Sequence, residues 1–430
     1  MDIFHELTWR GLIHQATDEK LGAFLAEKPR TVYVGFDPTA DSLHLGHFVP
    51  LMNLRRFQKA GHTPIALLGG ATGMIGDPSG KSEERNLISE EIIRKNIEAI
   101  RVQMEKFLDF DSAKCKAIMV NNYDWTGKFS FLEFLRDVGK HFPVNVMLAK
   151  DSVKQRLQKT DSGLSYTEFS YMLLQSYDFV HLYRTFGCEI QFGGSDQWGN
   201  ITAGIDLARR LDSVQLYGIT CPLLTKSDGG KMGKTEAGTL WLDANKTSPY
   251  TFYQYWINLD DADVEKVLCF FTEIPEWEMK DLCDAHRQDP GKRLAQKRLA
   301  EELTRLVHDE DGLEIAQRAT EIFFGGEITR LDDSQLTAIF ADVPSCILKR
   351  SQLDEGLSLI DALCRTALAP SKAEARRTIQ QGGVYVNNKP VGDVDKKLTA
   401  ADLASETILI LRSGKKRYAL VRFSSSTGPR

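Results

Sequence analysis

The chain has 430 residues, 42% of them apolar and 26% charged, with a net charge of −5. That leaves room for two or three domains with ordinary cores, and no run of 18 apolar residues is present, so no membrane span is expected. The start, Met1 to Glu6, lacks a basic segment followed by an apolar one, so no secretory signal is expected.

The first 220 residues alternate short apolar runs with amphipathic stretches. Strands are predicted at 31–36, 63–68, 116–120, 188–192 and 214–220. A helix is predicted from Gly46 to Ala60, stopped by Gly61. This alternation predicts an α/β fold: a Rossmann-like, mostly parallel sheet covered on both faces. In such sheets ligands bind beyond the carboxyl ends of the strands, which is where the glycine-rich segments fall. Phe131, Phe134, Leu135, Val138 and Phe142 lie at helical spacing and read first as core packing, second as a subunit interface.

The Rossmann-like domain is expected to span 1–245, and from 246 to 325 the pattern turns helical, a separate α-helical domain with helices predicted at 260–271 and 291–308. Residues 326–352 lack a sustained period and read as a linker. A small α+β module follows at 353–425, with a capping box at Ser371–Glu374 and a stop at Gly382-Gly383. Residues 351–430 hold 13 Lys/Arg against 8 Asp/Glu, leaving −10 on the first 350. A basic end on an acidic body suits a polyanion held at the C-terminus; chance clustering of surface charge is the plain alternative. The seven cysteines are odd in number and contain no Cys-x-x-Cys pair. That argues against a disulfide framework and a zinc site, and for a reducing cytoplasm.

The strongest chemical signal is Pro38-Thr39-Ala40-Asp41-Ser42-Leu43-His44-Leu45-Gly46-His47, between the first strand and the first long helix. His44 and His47 stand one turn apart at a helix start, where the dipole and free N–H groups favour anions. Gly46 lets a ligand approach the backbone. Two exposed histidines at a turn are the bland reading, and a metal site would need a third ligand. The second signal is Lys231-Met232-Gly233-Lys234-Thr235, after the turn-rich Ser227-Asp228-Gly229-Gly230. Alone it reads as a solvated basic loop. Paired with the histidine segment it reads as a polyphosphate clamp.

Together these segments resemble the His-Ile-Gly-His and Lys-Met-Ser-Lys-Ser signatures of class I aminoacyl-tRNA synthetases. The longer stretches Tyr33–Leu43, Gly69–Gly73 with Gly76–Ser79, Tyr166–Tyr171 and Gly193–Asn200 are similar to blocks of the bacterial tyrosyl-tRNA synthetases, over nearly the whole chain. The resemblance implies activation of L-tyrosine by ATP and transfer to tRNA. It implies that Thr39, His44 and His47 hold the triphosphate, that Lys231, Lys234 and Thr235 close over the pyrophosphate, and that Lys81 and Arg85 assist. Mg2+ would come with ATP, bound through its phosphates, with no metal held by the protein itself. Tyr33 and Asp178 match the partners of the substrate hydroxyl. Tyr171, Gln175 and Asp77 match positions around its ammonium group, and Gln191 and Gln197 positions around the tyrosine. Gly35, Asp37, Gly46, Gly194 and Asp196 match the ATP and ribose side.

On a helix Tyr171, Gln175 and Asp178 share one face. The C-terminal module resembles an S4-type RNA-binding domain, with Lys372, Arg376 and Arg377 as phosphate contacts. The family is dimeric, so a homodimer is expected. Two departures stand out: Val34 replaces a cysteine of some members, and Pro50 sits in the first turns of the helix, where it puts helix geometry in doubt. Tryptophanyl-type synthetases and a non-catalytic RNA-binding relative are the competing readings.

Overall fold

Val32, Tyr33, Val34 and Phe36 are all buried, so strand β2 (Thr31–Phe36) is covered on both faces. That is the pattern of a central parallel strand. The computed structural model describes residues 2–79, 88–150, 153, 154, 157, 164–235, 238–329 and 331–424. They divide into two units, Met1–Asp243 with Leu259–Leu299, and Ala244–Asn258 with Ala300–Arg430.

In the first unit β2 lies at the middle of a six-stranded sheet. Its companions are β1 (Gln15–Ala16), β3 (Thr63–Leu68), β4 (Ile118–Asn121), β5 (Ile190–Gly194) and β6 (Tyr217–Cys221), in the order β1-β6-β5-β2-β3-β4. All neighbours are parallel except β1, which closes one edge antiparallel to β6. The five predicted strands are β2 to β6, with ends shifted by up to three residues, while the two-residue β1 was not predicted. The order reverses between β2 and β5, and the carboxyl ends of those two strands open a crevice.

The helix after β2 runs Leu45–Lys59 and buries Phe48, Leu51, Met52, Leu54 and Phe57. It continues through Pro50, which deprives the Gly46 carbonyl of its intrahelical donor. The aromatic stripe divides: Val138 is buried, Phe134 and Phe142 are partly buried, and Phe131 is 66% exposed.

The first unit also holds a short hairpin of β7 (Lys234–Thr235) and β8 (Gly238–Thr239). In the second unit lie β9 (Ser345–Lys349), β10 (Leu357–Ser358), β11 (Val384–Val386), β12 (Lys389–Pro390), β13 (Lys397–Leu398), β14 (Ile408–Ser413) and β15 (Arg417–Ser424). Five of them form a sheet ordered β12-β11-β14-β15-β9, and β10 pairs with β13. The expectation of a linker over 326–352 is corrected here. Asp333–Ile339 is a helix with a complete capping box, and β9 pairs in parallel with β15. A seven-residue helix and a strand with one buried residue are too short to print a period on the sequence. The predicted helix over 291–308 starts at Leu294, and a non-helical Asp309 at φ 64° separates it from a second helical stretch that ends at Phe323. At Ser371 the hydroxyl accepts the Glu374 N–H at 3.2 Å, while the Glu374 carboxylate takes Arg377.

Candidate active site

The turn after β2 is held from below by the helix Glu90–Met104. Its Asn96 amide donates to the Pro38 carbonyl at 2.9 Å, and Gln103 Oε1 accepts the Leu43 N–H at 2.9 Å. His44 then caps the next helix. Its Nδ1 accepts the Gly46 N–H at 3.1 Å, so this ring carries its proton on Nε2 when neutral. The His44 and His47 rings stack with centroids 4.0 Å apart. A Cβ on residue 46 would stand 2.9 Å from the His44 ring, so glycine there keeps the pair together.

The lysine segment comes to the same place. Gly233 has φ +85°, and a Cβ on it would lie 3.1 Å from Leu45. Leu242 N–H donates to the Leu43 carbonyl at 2.9 Å, and Leu240 N–H to the Gly233 carbonyl at 2.8 Å. Lys231 and Lys234 are exposed, while Met232, between them in sequence, is buried. Lys234 and Thr235 form β7, paired with β8 (Gly238–Thr239).

These segments line one cavity of about 560 Å³ at the crevice. Its lining includes Tyr33, Gly35, Asp37, His44, Gly46, His47, Asp77, Tyr171, Gln175, Asp178, Gln191, Gly194, Asp196, Gln197, Lys231 and Lys234. Thr39 lies on the turn, half-buried, outside that lining. Lys81 and Arg85 fall outside the described residues, and of Thr235 only the backbone is described.

The helix Tyr166–Phe186 supplies Tyr171, Gln175 and Asp178 from one face. Asp178 is 1% exposed. Its two oxygens accept from Trp125 Nε1 at 2.8 Å and Asn122 Nδ2 at 3.0 Å. Burial pushes its carboxyl up to about 7, against the pull of those two donors. The neighbouring Tyr33 is also buried, and burial, then the Asp178 charge, holds its hydroxyl proton on. That hydroxyl has no hydrogen-bond partner among the described residues, nor has Gln191 Oε1.

The raised carboxyl has a measurable consequence. A group whose folded pKa exceeds its unfolded value of 3.8 adds stability below that value and loses it as pH rises through about 7. Between pH 5 and pH 8 the wild type should lose roughly 2–3 kcal/mol relative to Asp178→Asn, as read by denaturant unfolding. A gap that stays constant with pH would contradict the assigned cause.

Asp37 joins this group to the turn. Its oxygens accept from the Tyr171 hydroxyl at 3.0 Å and the Thr72 hydroxyl at 2.8 Å. Thr72 in turn accepts from Asn122. A Cβ on Gly69 would stand 2.1 Å from Asp37 Oδ1, so only glycine admits that carboxylate. Burial, then Asp37 and Asp77, raise the Tyr171 hydroxyl. Beside it Gln197 donates to Asp77 at 2.7 Å, Gln175 donates to Gln197 at 3.2 Å, and Asn200 donates to Gln175 at 2.9 Å. Here a carboxylate and linked amide dipoles gather on one wall, a fit for a small cation such as an ammonium group. Among the described residues no group of three or more His, Cys, Asp or Glu is clustered to hold a metal ion.

Sequence reasoning missed Asn122 and Trp125, which aim Asp178, and Asn96 and Gln103, which hold the turn. The first pair follows β4 directly, and the carboxyl end of a predicted strand was the available signal. Asn96 and Gln103 are ordinary polar residues on an amphipathic helix, with no signal of their own.

A helix start capped by stacked histidines, a lysine loop and a deep polar pocket on a parallel sheet make up the arrangement expected of a nucleotide-using enzyme of the synthetase class. Residues 25–325 match the family model "tRNA synthetases class I (W and Y)", and residues 335–421 match "Tyrosine--tRNA ligase SYY-like C-terminal domain". A tyrosine–tRNA ligase of Rhodopirellula baltica is 58% identical over 422 residues, 98% of this chain and 96% of that protein. One of Geobacillus stearothermophilus is 50% identical, covering 99% of this chain and all of that one. A C-terminally truncated mitochondrial tyrosyl-tRNA synthetase of Aspergillus nidulans aligns with TM-score 0.68 at 31% identity, over 75% of this chain and 94% of that one. The chain belongs to the tyrosine–tRNA ligases within the class I tRNA synthetases.

Proposed function

We propose that the cavity seats L-tyrosine and ATP together and makes tyrosyl-adenylate, with residue roles as follows. The phenol of tyrosine lies between Tyr33 and Asp178, donating to the carboxylate and accepting from the Tyr33 hydroxyl. Its ammonium group meets Asp77, Tyr171, Gln175 and Gln197, with Gln191 beside the amino acid. ATP lies across Gly35, Asp37, Gly46, Gly194 and Asp196, its triphosphate at Thr39, His44 and His47.

The tyrosine carboxylate is ionised at neutral pH, so the first step needs no general base. Its oxygen attacks the α-phosphorus, and the bond to the bridging oxygen breaks toward pyrophosphate. Negative charge grows on the α-phosphoryl and pyrophosphate oxygens. Donors fixed around those oxygens accelerate the step by electrostatic stabilisation. The imidazoles serve from one side, and Lys231, Lys234 and Thr235 from the other, with Lys81 and Arg85 assisting. Mg2+ bound through the ATP phosphates would supply further positive charge there. A terminal hydroxyl of tRNA then attacks the carbonyl carbon and AMP departs.

A buried tyrosine hydroxyl with no hydrogen-bond partner among the described residues stands beside a buried aspartate, in the cavity that both signature segments line, and this carries the reading. Buried polar groups without partners are costly and are kept where a ligand completes them. The expected result is ATP–pyrophosphate exchange that depends on L-tyrosine. Exchange with tryptophan in its place would contradict the specificity. Binding of tRNA with no exchange at all would favour the non-catalytic reading.

The remaining assignments rest on surface chemistry. Lys372, Arg376 and Arg377 are exposed on the helix Lys372–Gln380, which suits tRNA phosphates. In this state Lys372 pairs with Asp361 at 2.7 Å and Arg377 with Glu374. Phe131, Leu132, Val144 and Val146 are large apolar residues left exposed, which suits contact with a second copy of the chain, a homodimer. All seven cysteines are free, in keeping with a reducing cytoplasm. No helix among the described residues is long and apolar enough to cross a membrane.

A further inference from the structure

Outside the cavity, one helix of the first unit is bonded to the lysine hairpin near its start and to the histidine helix at its end. It runs Asp261–Phe271. Asp263 stands in its first turn, 3% exposed, and its Oδ1 accepts the Ser227 N–H at 2.8 Å. The other carboxylate oxygen is buried and has no hydrogen-bond partner among the described residues. One turn later the Lys266 ammonium donates to the Thr225 carbonyl at 3.1 Å.

Thr225 and Ser227 are the base of the hairpin that carries the lysine signature. Thr225 bridges to Lys231, Lys226 N–H donates to the Gly230 carbonyl at 2.9 Å, and Gly230 N–H to Asp228 at 2.7 Å. So the hairpin is closed by its own bonds. At the other end of the helix, the last carbonyls lack intrahelical donors. Arg56 supplies them, donating to Phe270 at 2.8 Å and Thr272 at 3.0 Å. Phe271 stacks on Phe48 with centroids 4.9 Å apart. Arg56 and Phe48 belong to the same helix as His47. One rigid element therefore sets the lysine hairpin against the histidines.

We propose that Asp263 and Lys266 are positioning residues for adenylate formation. They fix residues 225–227, the pivot of the hairpin, so that Lys231 and Lys234 meet the pyrophosphate. Neither side chain touches substrate. This rests on the reading that those two lysines hold the pyrophosphate.

The test is single-turnover tyrosyl-adenylate formation with the full chain. It compares Asp263→Ala, Asp263→Asn, Lys266→Met and Lys234→Ala, with tyrosine affinity and unfolding temperature measured for each. Displacing a catalytic group by about 1 Å costs up to about a hundredfold, so Asp263→Ala and Lys266→Met should each slow the step about tenfold. Tyrosine affinity should stay within about twofold, and pyrophosphate affinity in the reverse reaction should fall with the rate. Asp263→Asn keeps an oxygen for Ser227 and should recover most of the rate.

Wild-type rates in both position variants, with a slow Lys234→Ala, would overturn the inference alone. A wild-type rate in Lys234→Ala would overturn the underlying reading. Losses of rate and tyrosine affinity that simply follow unfolding temperature would mark a structural role and also overturn it. Should Asp263→Ala not fold, the half-buried Lys266→Met decides the matter.

Discussion

Lys234→Ala is expected to slow tyrosyl-adenylate formation about 10²–10³-fold, the usual consequence of removing one donor aimed at transition-state charge. Tyrosine affinity should not change, because the lysine is exposed whereas Tyr33 and Asp178, proposed to hold the phenol, are buried. The ammonium is exposed, on a strand of two residues. Its removal leaves no buried group unpaired, so the unfolding temperature should hold. Single-turnover rates at saturating ATP and tyrosine read the effect. A variant that lost tyrosine affinity and kept its rate would contradict the role.

Asp178→Ala should act the other way, on the amino acid. Its carboxylate is proposed to accept the ligand hydroxyl while holding Asn122 and Trp125. Removing it leaves three donors unpaired in a buried site. A lost charge-assisted bond with its unsatisfied partners costs about 3–4 kcal/mol, or roughly 10²–10³-fold in kcat/KM for tyrosine. Phenylalanine, which has no hydroxyl to strand, should lose much less, so the preference between the two collapses. Steady-state exchange with each amino acid measures it. Tyr33→Phe is the gentler companion: it deletes a hydroxyl with no partner among the described residues. It should leave the unliganded protein at least as stable while weakening tyrosine alone. Equal losses for tyrosine and phenylalanine in either variant would contradict the pocket assignment.

Much of the site was legible because its residues sit where sequence marks them. His44 and His47 start a helix after a strand, and Tyr171, Gln175 and Asp178 repeat at helical spacing. The central strands were legible for the same reason: both faces are buried, so their residues read as unbroken apolar runs. What was not legible is held by contacts between distant segments. Nothing in the spacing of Asn122 and Trp125 tells that they bracket Asp178, 56 and 53 residues away. Asp263 looks like any acid in a first helical turn until Ser227 is seen against it. The span 326–352 failed for another cause: β9 is made a strand by its partner β15, and its own alternation is too brief to declare it. Pro50 was a fair warning about helix geometry, yet packing on most sides of Leu45–Lys59 carries the helix through.

The most direct measurement is a crystal structure of the full chain with tyrosine and a non-hydrolysable ATP analogue. Phosphate oxygens are expected within hydrogen-bonding reach of the His44 and His47 rings, with Lys231 and Lys234 on the opposite side. The phenol should sit between Tyr33 and Asp178. A nucleotide seated away from residues 44–47 and 231–235 would contradict it.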